Sequence, residues 1–256
     1  MTSFDDSRLR LQTGTRRQAW ALVVALTASA GAVAGPPYST DDPESLERGH
    51  WEVIPGVAGS HESGITAGEL AFDINYGLAE GVQLTLVVPV LYEHSRSLRS
   101  GLGRVETEVK WRFLEQGAGG FLPEMAVAAT VIWPTAAAGY DSDSASLLLP
   151  LWLQKDFGEW SVFGGGGYQI NPDEHRRDSW EAGIAIARGV GERWEIGAEL
   201  FHEKPDVPVE SSFTSLNVGV EWQLSPHWSL MGSAGPTDFG HSFEAWSFFV
   251  GAKAYY

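Results

Sequence analysis

From Trp51 onward the chain alternates apolar and polar residues with a period of two. In ELAFDINYG, Leu70, Phe72, Ile74 and Tyr76 share one face, while Glu69, Ala71, Asp73 and Asn75 share the other. After the turn GLAEG, Val82, Leu84, Leu86, Val88, Val90 and Tyr92 alternate with Gln83, Thr85, Val87, Pro89 and Leu91. RVETEVKWRF is the clearest case: Val105, Thr107, Val109, Trp111 and Phe113 face one way, and Arg104, Glu106, Glu108, Lys110 and Arg112 face the other. Only a strand puts every second side chain on one face, and a helix would scatter those five charges around its circumference. The pattern predicts twelve strands, near 50–59, 65–77, 81–93, 102–114, 121–134, 145–157, 160–171, 177–189, 193–204, 211–224, 227–236 and 243–256. ASLLLPLWLQKDF, at 145–157, is apolar on both faces, so its facing stays open. Strands in soluble proteins average about five or six residues, whereas a membrane-crossing strand needs about nine to eleven. Most of these run longer than the first figure and meet the second.

The connections alternate in length. GLAEG, DFGE, GVGER and LSPH are short, with QGAGG similar; HSRSLRSG, TAAAGYDSDS, NPDEHRRD, EKPDVPVE and PTDFGHS are longer and polar. Outer-membrane barrels alternate in this way, with short periplasmic turns and long outer loops. The expected fold class is therefore all-β, a transmembrane antiparallel up-and-down β-barrel of about twelve strands over residues 50–256. A soluble barrel or sandwich would hide its apolar face, and alternation by itself does not separate the two. The aromatics do. Trp51, Tyr76, Trp111, Trp160, Trp194, Trp222, Trp228 and Tyr256 fall toward the short turns, and Tyr92, Trp133, Trp180 and Trp246 toward the long loops. Two aromatic belts with aliphatics between them match two membrane interfaces.

The beginning of the chain reads as an address. Arg8, Arg10, Arg16 and Arg17 precede the uncharged run AWALVVALTASAGAVA, which closes on Ala32-Val33-Ala34. Basic, apolar, then small is the order of a secretory signal peptide, here residues 1–34. A short membrane anchor is the other reading, but the run is below the ~20 apolar residues that a span needs. Residues 35–49, GPPYSTDDPESLERG, have prolines and acids without periodicity. They form either an extended periplasmic segment or a plug inside the barrel. The expected location is the outer membrane of a Gram-negative bacterium.

Composition narrows the function. Lys plus Arg is 17 and Asp plus Glu is 33, a formal charge of −16, which excludes the basic footprint of a nucleic-acid partner. The absence of cysteine excludes disulfides, thiolate metal sites and a cysteine nucleophile. No cofactor is implied. GPPYSTDDPESLERGHWEV followed by ELAFDINYGLAEGVQLTLVVPVLY resembles the openings of the bacterial MetA-pathway phenol-degradation, or transporter-like, family of outer-membrane proteins. PP-x-x-TDDP ahead of HWE is the most specific element, and LQKDFGEWSVFGGGGY resembles a later hairpin of that family more weakly. The resemblance implies a barrel of about this size that passes small solutes, aromatic ones among them, and it carries no catalytic residues.

The candidate site is the face turned away from lipid. It carries Glu69, Asp73, Glu106, Glu108, Glu181, Glu195, Glu199 and Glu221 against Arg104, Lys110, Arg112 and Lys253. One reading is a water-filled lumen that attracts cations, a passive or gated channel for a small solute. The other is a salt-bridged interior closing a structural or interaction barrel, since barrels of about eight strands fill with side chains and those of sixteen to eighteen leave a channel. A third is a lipid-acting hydrolase. His61-Glu62-Ser63 and His227-Trp228-Ser229 each place a His and a Ser two residues apart, on one face of a strand. Chance supplies such pairs, and no catalytic residue is assigned. Asp41-Asp42 and Asp141-Ser142-Asp143 offer oxygens to calcium but lack the ligand count of a calcium loop, and no metal site is assigned. Gly164–Gly167 lies in a predicted strand, where glycine permits bending or close packing. The expected partners are outer-membrane lipid and the barrel assembly machinery. AWSFFVGAKAYY alternates to an aromatic end at Tyr256, as an assembly signal does. Changing Tyr256 to Asp should lower the yield of assembled barrel in cells several-fold, measured as the heat-modifiable fraction on gels; an unchanged yield would remove that role.

Overall fold

The computed structural model describes residues 36–117, 120–137, 144–208, 211–237 and 245–256. The signal-peptide reading of 1–34 and the Asp141–Asp143 candidate lie outside the described residues. The strands are β1 (Trp51–Glu62), β2 (Ile65–Ala79), β3 (Val82–His94), β4 (Leu98–Leu102), β5 (Glu106–Leu114), β6 (Glu124–Ile132), β7 (Ser146–Phe157), β8 (Trp160–Ile170), β9 (Ser179–Val190), β10 (Trp194–Lys204), β11 (Phe213–Ser225), β12 (Trp228–Pro236) and β13 (Trp246–Tyr255). Twelve of them close a ring of antiparallel neighbours, with β1 pairing both β2 and β13. β4 is additional, a hairpin partner of the upper part of β3. At the seam, Trp51 and Tyr256 exchange N–H to carbonyl bonds of 2.9 Å in each direction.

The strand expected at 102–114 divides in two, and part of the expected loop 94–101 is β4. The reason is local. Pro89 of β3 has no N–H to give, so β5 leaves β3 after Glu106 pairs with Val87. Only Gly103 reaches back, donating its N–H to the Pro89 carbonyl. Val105 turns instead to Thr135, whose hydroxyl accepts its N–H at 2.8 Å.

Burial follows the period of two, but with the poles reversed relative to a soluble protein. Asp73, Glu106, Lys110, Glu181 and Glu199 are buried, while Leu70, Phe72, Val109, Leu149, Ile184, Leu200 and Val218 are exposed. Fully burying such a side chain is worth about 1.5–3 kcal/mol over leaving it in water. A continuous exposed apolar wall of this kind requires a hydrocarbon surround, and the closed ring pairs the backbone groups that hydrocarbon cannot satisfy. Trp51, Trp111, Trp160, Trp194, Trp222 and Trp228 stand exposed at the short-turn end, with Trp133, Trp180 and Trp246 exposed at the other. Trp194 and Trp222 stack across β10 and β11 with centroids 5.1 Å apart.

The open question of β7 is settled by space inside the barrel. Ser146, Leu148, Pro150, Trp152 and Gln154 point inward and are buried; Leu149 and Leu151 face out. Trp152 is directly opposite Gly165, where an added Cβ would meet the indole at 2.8 Å. Gly165 and Gly167 thus make room for the bulk that β7 turns inward. A closed ring without a free edge should resist detergent until boiled. Unboiled protein should therefore migrate faster on gels than boiled protein, and identical mobilities would contradict the closed barrel.

Candidate functional site

The interior of the barrel is filled by its own N-terminal segment. Residues 36–46 run inside the strand ring, and residues 47–50 lie at its short-turn rim, where Gly49 and His50 bond to Gly77 at the end of β2. The seat for this segment is made of glycines. Gly183 on β9, Gly197 on β10 and Gly219 on β11 all face inward, with Gly197 and Gly219 paired across strands. A Cβ at Gly183 would collide with Thr40, and one at Gly197 or Gly219 would collide with the Tyr38 ring. Tyr38 is buried there with Phe163, Ala185 and Ala187, its ring centroid 5.8 Å from that of Phe163.

Polar contacts then fix the segment along its length. Ser233 on β12 donates its hydroxyl to the Pro37 carbonyl. The Thr40 N–H donates to Glu199 Oε1 at 2.5 Å, and Asn217 donates to the other oxygen of Glu199 at 3.0 Å. Lys110 of β5 pairs with Asp41 at 2.7 Å and donates to the Asp42 carbonyl at 3.2 Å. Gln154 donates to Glu44, and the Leu46 N–H donates to Gln83. Asp42 caps its own turn by accepting the Glu44 N–H. Asp41-Asp42, the calcium candidate, therefore anchors the segment to a lysine.

The twelve predicted interior residues divide into groups. Asp73, Glu106, Glu108, Lys110 and Lys253 surround one cavity of about 190 Å³ between the segment and the wall. Glu199 holds Thr40. Arg112 pairs with Glu115 and Glu124, and Lys253 with Glu221 at 3.0 Å. Glu195 shares the inward face of β10 with Glu199 but is exposed, at the short-turn mouth. Glu69 and Glu181 are buried, each with one oxygen lacking a hydrogen bond. Arg104 belongs to a different cluster, toward the long loops. It donates to Ser146 at 2.6 Å and pairs with Asp206, which Arg176 also grips at 2.7 Å. Asp206 is 2% exposed, so the loop after β10 dips into the upper lumen.

Sequence reasoning missed Tyr38, Thr40, Asp206, Arg176 and the glycine seat. The glycines carried a signal, since glycine inside a strand marks close approach of another group. Asp206 carried none, because EKPDVPVE has the composition of any polar loop. The two His-x-Ser pairs do not assemble. His61 Nδ1 lies 2.8 Å from Thr66 Oγ1, and Ser63 occupies the hairpin turn with φ 50°. His227 Nδ1 meets the Tyr255 carbonyl at 3.1 Å.

No family model matches the chain, and no curated protein matches it either. Among solved structures it is similar to the COG4313 outer membrane channel from Pseudomonas putida F1, at TM-score 0.65 and 13% identity over 84% of this chain and 98% of that one. It is also similar to the NanC porin, at TM-score 0.57 and 7% identity over 80% and 99% of the two chains. The KdgM porin in complex with disordered oligogalacturonate gives TM-score 0.55 and 13% identity over 79% and 98%. The shared property is the fold, that of an outer-membrane β-barrel.

Enclosure of the segment has an electrostatic cost at Asp42. Its side chain touches the cavity yet is surrounded by protein, and this burial pushes its carboxyl up to about 8, with Asp41 and Glu44 adding to the rise and Lys110 opposing it. A carboxyl raised in the docked state favours docking while it is protonated. That contribution is complete below its ordinary value near 3.8 and is lost as pH climbs through about 8. Residues 36–50 should therefore become several-fold more susceptible to added protease between pH 6 and pH 9. Asp42→Asn should flatten the dependence, and an equal rise in that variant would exclude Asp42 as its origin.

Proposed function

We propose that this barrel resides in the outer membrane and acts as a diffusion channel for small solutes, held shut by its own N-terminal segment. The observation that carries this reading is residues 36–46 seated in a charged interior. A barrel that served only as a scaffold has no need of acids along its axis beyond those that pair, and Asp73, Glu69 and Glu181 keep unsatisfied oxygens. The fold shared with an outer membrane channel and two porins supports the same reading. Outer-membrane lipid and the barrel assembly machinery are the partners it implies.

Gating follows from the way the segment is held. Its contacts are a few hydrogen bonds, one lysine pair and one aromatic side chain on a glycine floor. Each net hydrogen bond contributes about 0.5–1.5 kcal/mol, so the seated state is reversible without unfolding the wall. The wall, by contrast, is closed by strand pairing all the way round. Release of the segment removes Tyr38 and Thr40 from the middle of the lumen and exposes Glu199 and Lys110 to water.

Selectivity follows from charge. Acids outnumber bases on the inward face, and charges inside a narrow pore are screened less than those outside. The solutes this interior suits are cationic or uncharged rather than polyanionic. The small aromatic solutes implied by the family resemblance fit if they carry no negative charge.

In planar bilayers the intact chain should conduct at least tenfold less than a variant lacking residues 36–48. The open variant should prefer K⁺ to Cl⁻, and Glu106→Gln with Glu108→Gln should reduce that preference. The effect should shrink as salt rises, because the Debye length falls from ~10 Å at 0.1 M to ~3 Å at 1 M. No conductance after removal of the segment would overturn the channel reading, and an anion preference would overturn the acidic-pore reading.

A further inference from the structure

The cavity lies between the N-terminal segment and strands β1–β3, β5–β7 and β13, and both acidic and apolar side chains line it. Seven carboxylates and two lysines line it. Both lysines are already engaged, Lys110 by Asp41 and Lys253 by Glu221. Arg104, also turned inward, pairs with Asp206 and donates to Ser146. The acids of the cavity thus outnumber the lysines among them. Ile54, Val87, Pro150 and Trp152 line it as well, and Trp152 is 2% exposed.

Asp73 stands between Ile54 and Val87 in the strand register. It is 5% exposed and borders the cavity, and its Oδ1 has no hydrogen-bond partner. The register explains why. Its cross-strand neighbours are Ile54 on β1 and Val87 on β3, neither with a donor to offer. Asn75, the next inward polar residue on its own strand, is committed to Glu52, Gln83 and Thr85. A carboxylate enclosed in this way is costly unless a cation or donor meets it.

We propose that this cavity binds a small organic cation, a primary ammonium on an alkyl or arylalkyl tail, with Asp73 receiving the ammonium and Ile54, Val87 and Trp152 receiving the tail. An ammonium carries three donors and needs no fixed coordination shell. A bare calcium ion takes six to eight oxygen ligands, and among the described residues no three acidic or imidazole side chains converge to hold a metal. The volume, about 190 Å³, also exceeds what one water or one bare ion fills. The apolar residues in the lining favour a ligand with a hydrocarbon part over a hydrated inorganic ion.

The test is isothermal titration of the full chain, folded in detergent micelles, with phenethylammonium chloride, subtracting protein-free micelles. Phenylacetate and 2-phenylethanol at the same ionic strength are the controls. One site should bind the ammonium at least tenfold more tightly than either control, and Asp73→Asn should weaken it at least tenfold while keeping the heat-modifiable gel shift. Should that variant lose the gel shift, Val87→Phe narrows the cavity and leaves the carboxylate in place; it should weaken binding at least fivefold. Equal affinity for 2-phenylethanol, full affinity in a folded Asp73→Asn or Val87→Phe variant, or equally tight displacement by MgCl2 would overturn the assignment. Binding in micelles does not depend on conduction, so failure here and failure of the channel reading are separate results.

Discussion

Hydrocarbon accepts no hydrogen bonds, and the rest of this architecture depends on that constraint. Every backbone N–H and C=O in the spanning segments must find a partner within the protein, so the sheet must close. Closure with twelve strands fixes a circumference, and that circumference leaves an interior wider than one layer of wall side chains fills. The interior is then a second problem created by the solution to the first. In this chain it is met partly by large inward residues such as Trp152 and Phe201, and partly by a stretch of the chain that belongs to no strand.

The N-terminal segment can occupy the lumen because three inward glycines on adjacent strands lower the floor beneath it. Without side chains at Gly183, Gly197 and Gly219, the ring of Tyr38 and the side chain of Thr40 lie directly on backbone. The seat is therefore specified by absence of bulk, and the segment by the bulk that fits it. Above this seat the lumen is narrowed again by Asp206 between Arg104 and Arg176. The two closures differ in kind. The lower one is a segment held by mixed weak contacts, and the upper one is a loop drawn in by a charge-assisted network that is stronger bond for bond.

Between the closures the interior is acidic, and the pairing is incomplete. Lys110 illustrates the economy: it satisfies the segment through Asp41 and Asp42 rather than its strand neighbours Glu106 and Glu108. The acids it leaves unbalanced keep an electrostatic demand inside the barrel. That demand links the seating of the segment with the proposed ionic preference and the proposed ligand chemistry of the cavity, since each changes the same local charge.

The sequence by itself determined the strand period, the twelve-membered wall, the inward and outward faces of most strands and the sorting of tryptophans to the two ends. These are local properties: a period of two and a belt of aromatics are written residue by residue. Parity along a strand, fixed once one residue's facing is known, is also what the expectation of inward charges rested on. Tertiary structure alone decided the rest. β7 was apolar on both sides, and its facing was settled by the glycines of β8 that make room for Trp152. The break between β4 and β5 depended on Pro89, in a different strand, having no N–H to offer. The place of residues 36–50 depended on a floor assembled from three strands far along the chain, and the partners of Asp73 depended on register with β1 and β3. Segments without periodicity carry no facing of their own, so where they lie is decided by the space and the unpaired groups that the closed wall leaves for them.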